Sequence, residues 1–454
     1  MDAIADVPAD VPVVLPVTVT VIGAQGLESG VTVVYEDSGG AVTGTGTTGV
    51  TGTASKIVPA GSMVTVLLGT PANPNLYTAM GVQPGNNVLV LDWASASSFN
   101  NLYANLTSIG TAPDAGVSTY IASAGGCNMN WDGSVPTSMW LQPNALPPCI
   151  GVGQFGTSYG ASFPLLVEAD DAQGNLLGFA FSKNNGLSML DDAGMADVAL
   201  TGSWSTATTT QVLSATNGDG GTVSANLAYS EIAGGILNPL NQYTAADAGG
   251  QMVVHTHAGT PAFADAVQFE AATTFSNTAN AVAQRGAPPT ADGTTVVDVT
   301  AFGTLPQITN AGANITTPSQ PTYSWTLSQG DLSAMTGVVA TLSWSATLPE
   351  GGSQSGSWTL VSPGTTQTSL TAPALPAASS GYAPPASGGV SGNGGNLFAI
   401  DGNSVTPSAL PTYGDLLLLA PTLYPQGGCF TAPYFSALPK NGTAALAVYA
   451  PQGC

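Results

Sequence analysis

Apolar and polar residues alternate with a period of two along most of the chain. Val17 to Ile22 reads VTVTVI, and Val31, Val33 and Tyr35 share one face of GVTVVYED. Alternation of β-branched residues over five to eight positions, broken by Gly, Asp and Pro clusters, is the signature of strands. Val58 to Leu68 repeats the pattern, and GVQPGNNVLVLD supplies a turn and a further strand. Beyond residue 100 the text is less regular. Phe163 to Ala169, the turn DDAQGN and LLGFAFS read as a hairpin, and VALTGSWST, QMVVHTH, AVQFEAATTF and TTVVDVTAF read as strands. Phe263 to Gln284 is the best helical candidate, although its Thr, Phe and Val content also suits strands. From about residue 319, Trp325, Trp344 and Trp358 recur inside Ser- and Thr-flanked strands, at spacings too irregular for a repeat.

These patterns predict an all-β protein: an N-terminal Ig-like or transthyretin-like sandwich followed by one or two larger antiparallel β domains. The expected division is an acidic, Pro-containing tether over 1–14, a sandwich over 15–93, a β-rich middle over 94–318 and a β-rich end over 319–454. The Pro/Gly/Ser-rich stretch 376–396 is expected to be a flexible loop, and the remaining segment, 397–454, to pack as strands.

Composition narrows the surroundings. The 454 residues carry 4 Lys and Arg against 26 Asp and Glu, a formal net charge of −22, yet only 7% of residues are charged. The chain is acidic because cations are missing. Lys56, Lys183, Arg285 and Lys440 lie far apart in sequence and form no basic run, which argues against nucleic acid and anionic membrane surfaces as partners. No run of 18 apolar residues exists to span a bilayer as a helix.

Cys127 and Cys149 form one sequence-local couple, Cys429 and Cys454 another. With an even count and no CxxC spacing, disulfides Cys127–Cys149 and Cys429–Cys454 are expected, and with them an oxidising compartment. Met1 to Asp10 lacks a signal peptide. Export therefore implies a leader removed ahead of the tether, with a lipid anchor at that removed N-terminus as one form of it. The expected location is extracellular or on the outer cell surface.

Residues 15–93 resemble the carboxypeptidase-regulatory-like, transthyretin-type sandwich modules of exported bacterial proteins. The likeness rests on the GVTV strand, Asp37 with Gly39 and Gly40, Thr48 with Gly49 and Gly52, and the AGSMVTV strand. It implies a non-catalytic spacer or presentation module and assigns no site residues. The rest of the chain is similar in texture to uncharacterised exported bacterial proteins.

Several constellations could carry chemistry. GTSYG at 156–160 fits the G-x-S-x-G elbow around Ser158, but a strand rather than a helix follows it, so a Ser158–His255 hydrolase is disfavoured and no catalytic residue is assigned. His255 and His257 stand two apart in VVHTHAG and would share a strand face. They could join a metal site, with Asp265 as a third ligand, or simply stand exposed on an edge strand. Asp170, Asp171 and Asn175 in DDAQGN could offer oxygens to calcium, or cap a hairpin. No other cofactor is expected. Trp131 and Trp140 lie inside the Cys127–Cys149 loop, where they could contact a glycan or pack as core. The sum is a non-enzymatic surface protein, a scaffold, adhesin or assembly subunit that self-associates or binds surface partners. A carbohydrate or cell-wall polymer binder is the alternative.

Overall fold

The computed structural model describes residues 15–23, 26–92, 102–107, 112–113, 115–124, 127–134, 138–141, 164–183, 196–200, 204–217, 223–245, 250–257, 262–275, 278–349, 351–387, 389–393, 395–402, 407–419 and 438–450. The described chain is dominated by strands, so the all-β expectation holds.

A 13-stranded sheet forms its centre. Its path runs from Ile236–Ala245 through Asn226–Ala233, Ala266–Phe275, Thr278–Gly286, Gly442–Tyr449, Leu397–Asp401, Leu332–Thr347, Ser353–Thr365, Asn73–Val82, Ser62–Thr70 and Thr32–Glu36 to Val42–Thr47. Gly389–Asn393 pairs beside this path with Leu332–Thr347. One junction joins distant sequence. Ser357 to Val361 runs parallel to Asn75 to Ala79, which fuses the N-terminal strands to the C-terminal ones.

The middle of the sheet is buried on both faces, so strands such as Leu397–Asp401 and Gly442–Tyr449 read as nearly continuous apolar runs. Val33, Tyr35, Val339, Leu446 and Val448 enter one core, closed by the four-stranded sheet that contains Val17–Gly23 and Asn87–Leu91. Val34, Val338, Ala340, Ala445 and Ala447 enter the other. Two three-stranded sheets close that side. One holds Thr209–Thr216, Gln251–Thr256 and Gly293–Asp298, and the other Gln307–Asn314, Thr322–Gln329 and Ser369–Thr371. Trp325, Trp344 and Trp358 are all buried in this second core. Trp358 donates its Nε1–H to Thr78 Oγ1 at 2.9 Å, and Trp344 donates to Gln354 Oε1 at 3.1 Å. Opposite Trp344 stands Gly356, where an added Cβ would lie 2.3 Å from the indole.

Three local expectations are corrected. Phe263 to Gln284 forms the hairpin strands Ala266–Phe275 and Thr278–Gly286, because alternate residues such as Val267, Ala271 and Val282 pack into one sheet face. Among the described residues of 376–396, Ala377–Tyr382 is a 3-10 helix, Gly389–Asn393 a paired strand, and Gly395 accepts the Tyr323 hydroxyl at 2.5 Å. Within 397–454 the run Tyr413–Leu419 is an α-helix, with Leu416, Leu417 and Leu419 in the first core. Thr412 starts it by accepting the Asp415 N–H and donating to the Asp415 carboxylate, a reciprocal cap.

Candidate functional site

An internal cluster of ionisable groups joins three sheets. Strand Asn226–Ala233 of the central sheet carries Tyr229 and Glu231 on one face. Strand Leu165–Asp170, in a four-stranded sheet, carries Glu168 and Asp170. His257 immediately follows the strand Gln251–Thr256. The chain leaves the strand there, so the two histidines part company: His255 is exposed while His257 is buried. His255 Nδ1 lies 3.3 Å from the Thr210 hydroxyl.

Both ring nitrogens of His257 meet carboxylates. Nδ1 lies 2.9 Å from Glu231 Oε2, and Nε2 lies 3.0 Å from Glu168 Oε1. The backbone N–H of His257 and the hydroxyl of Tyr229 both donate to Glu231 Oε1, at 2.9 and 2.7 Å. Phe179 and Phe263 approach the imidazole edge-on, with centroids at 4.6 and 6.2 Å. Burial disfavours the charged ring, but Glu231 and then Glu168 overcome it and raise the His257 pKa to about 10. Burial likewise works against the Glu231 carboxylate, and His257 outweighs it, holding the pKa below the usual value. Burial, with Glu168 adding to it, raises Asp170 to about 6.

The chemistry of this arrangement is cohesive. An imidazolium that donates from both nitrogens has no lone pair left to accept a proton or bind a metal. Clefts of about 460 and 320 Å³ open elsewhere, and neither is lined by these groups.

The remaining candidate residues are scattered. Asp265 is held by Lys183, its Oδ1 2.7 Å from Nζ, and accepts the Gly234 N–H on Oδ2. Burial would raise its pKa, but these two partners keep it low. In the DDAQGN turn, Asp171 accepts the N–H groups of Gln173 and Asn175 and the Asn175 amide, each at 2.8 Å, which is the geometry of a hairpin cap. No group of three or more His, Cys, Asp and Glu side chains among the described residues is arranged for a metal ion. Trp131, half-buried opposite Tyr120, packs with Tyr120, Ala169 and Ala112. Trp140 lies in the strand Ser138–Leu141 of a different sheet. Cys127 opens the strand Cys127–Asp132. Cys149, Cys429, Cys454 and Ser158 lie outside the described residues.

Glu168, Glu231 and Tyr229 were not singled out by sequence, although a signal existed. PLLVEAD and LAYSEIA each place an acid inside an apolar strand. A buried carboxylate needs a partner, and with only four Lys and Arg in the chain a histidine was the available one.

No protein-family model matches the chain, and no curated protein matches it. Among solved structures, the Bacillus anthracis TIE protein is similar over 63% of this chain and 50% of its own, at 8% identity and a TM-score of 0.15. The chain thus spans about half the length of that protein. BcpA, the major pilin subunit of Bacillus cereus, matches over 63% of this chain and 98% of its own, at 6% identity and a TM-score of 0.14. A tetra-tandem repeat from the extending region of a large adhesion protein covers 85% of this chain and 94% of its own, at 12% identity and a TM-score of 0.12.

Proposed function

We propose that this chain is a non-enzymatic structural protein of the cell surface or extracellular space, a scaffold, adhesin or assembly subunit. The observation that carries the reading is the commitment of His257. This buried cluster ties three sheets together, and both ring nitrogens of His257 are taken by carboxylates. Composition supports the setting. A surface poor in charge and rich in Thr, Ser and Gly presents little repulsion to a neighbouring copy, and four cysteines in local couples suit an oxidising compartment.

The test is particle imaging of the purified full chain over a concentration series. Polymers or discrete oligomers are the expected result. A strict monomer at every concentration overturns the assembly part of the reading.

A further inference from the structure

The two ends of the central sheet are built differently. At one end, Ile236–Ala245 contains Pro239 and pairs with its neighbour through two register shifts. Proline and bulges are the ordinary means of blunting a sheet edge. At the other end, Val42–Thr47 reads VTGTGT, with no proline and no charged side chain; its single register shift lies at its start, around Thr43, and Val42, Thr43, Thr45 and Thr47 are exposed.

Hydrogen bonding shows which backbone groups of that strand point outward. Thr48, one residue beyond it, donates its N–H to Val31 O and accepts the Gly30 N–H, both at 2.9 Å, and so faces inward. Antiparallel ladders alternate, so Gly46 and Gly44 also turn inward while Thr47 and Thr45 turn outward; Thr43 sits at the register shift, where its hydroxyl donates to Tyr35 O at 3.0 Å. The Thr43 carbonyl accepts Lys56 Nζ at 3.0 Å. Lys56 is a lone guard over one end of the edge. Thr45 and Thr47 present their N–H and C=O groups to no strand among the described residues.

We propose that this edge is the contact between two copies of the chain, paired antiparallel about a two-fold axis through Thr45. The inference rests on the assembly reading above and names its surface. The strand is self-complementary about that residue: Thr45 meets Thr45, Thr43 meets Thr47 and Gly44 meets Gly46. A two-fold axis sets side chains beside their own copies, so a charged strand would repel itself. In a chain of net charge −22 this strand carries none. Each Thr45 exchanges both backbone hydrogen bonds with its copy. The Thr43 carbonyl receives the Thr47 N–H of the second copy once Lys56 releases it.

Sedimentation equilibrium of the full chain tests this with three variants. Thr45→Pro removes an outward N–H and leaves the inner ladder whole, so it keeps the wild-type melting temperature and weakens association by about tenfold or more. Lys56→Ala frees the Thr43 carbonyl and strengthens association. Thr45→Cys gives a disulfide-linked dimer whose cross-linked peptide joins position 45 to position 45. Association unchanged to within about twofold in Thr45→Pro, or no 45-to-45 cross-link, overturns the proposal and leaves the assembly reading standing. A wild-type monomer at all concentrations removes both. If Thr45→Pro misfolds, the Lys56→Ala and Thr45→Cys results decide.

Discussion

His257 and Glu231 meet at two places: the ring Nδ1 lies 2.9 Å from Oε2, and the backbone N–H of His257 donates to Oε1, both groups being buried and the ring meeting Phe179 edge-on. A pair so enclosed is costly to break from one side. His257→Ala leaves the Glu231 carboxylate buried opposite a cavity, and we expect a loss of about 3–5 kcal/mol in urea unfolding. Glu168→Gln alters the more exposed partner and is expected to cost roughly 1 kcal/mol. Equal losses in the two variants would show that the cluster is not anchored on Glu231.

The same pair sets a pH window. His257 holds its proton up to about pH 10 in the folded chain, against an ordinary value of 6.5. Its contribution is therefore complete below pH 6.5 and is lost as pH rises from 6.5 through 10. Glu231 is depressed, so its contribution is present above the usual 4.5 and is lost as pH falls through the lowered value. Asp170, raised from 3.8 to about 6, works the other way and subtracts stability as pH rises across that interval. Melting temperature measured from pH 6 to 10 is expected to fall more steeply in the wild type than in His257→Phe. Parallel curves would remove the imidazolium from the account.

How much of this was legible beforehand depended on whether a signal was local. Val17 to Ile22 and the hairpin around DDAQGN are written in adjacent residues, and both form as read. The central sheet is not, because its decisive pairing sets Trp358 beside Leu76 across more than half the chain, and no local pattern encodes that. The helix Tyr413–Leu419 was hidden because four consecutive leucines have no strand or helix period; the Thr412 and Asp415 cap was the better clue. His255 and His257 were placed together by strand periodicity, and they separate because the strand stops between them.

Glu36 provides a second pH signal, of the same sign as that of His257 but in a lower window. It is fully buried at the end of the strand Thr32–Glu36. Burial raises its pKa from 4.5 to about 8, with Thr65 and its own backbone offsetting this only in part. The folded chain therefore keeps a proton that the unfolded chain releases, and stability falls as pH rises from 4.5 to 8, then levels. Glu36→Gln is neutral throughout. It is expected to match the wild type below pH 4.5 and to exceed it progressively up to pH 8. A constant offset across that range would mean Glu36 is ionised throughout.

The cysteines decide the compartment, and their chemistry can be read without further structure. We expect two disulfides, Cys127–Cys149 and Cys429–Cys454, closing loops of similar length. In the chain-entropy description each contributes roughly 3 kcal/mol by restricting the unfolded state. Cys127 starts the strand Cys127–Asp132, whose Trp131 packs against Tyr120, so a bridge there would pin the edge of the four-stranded sheet that carries Glu168. Non-reducing peptide mapping is expected to recover both linked pairs, and reduction to lower the urea midpoint. Four thiols that alkylate freely in the native chain would instead remove the case for an oxidising compartment. The strand architecture and the His257 cluster, neither of which depends on sulfur, would then have to be explained in a reducing one.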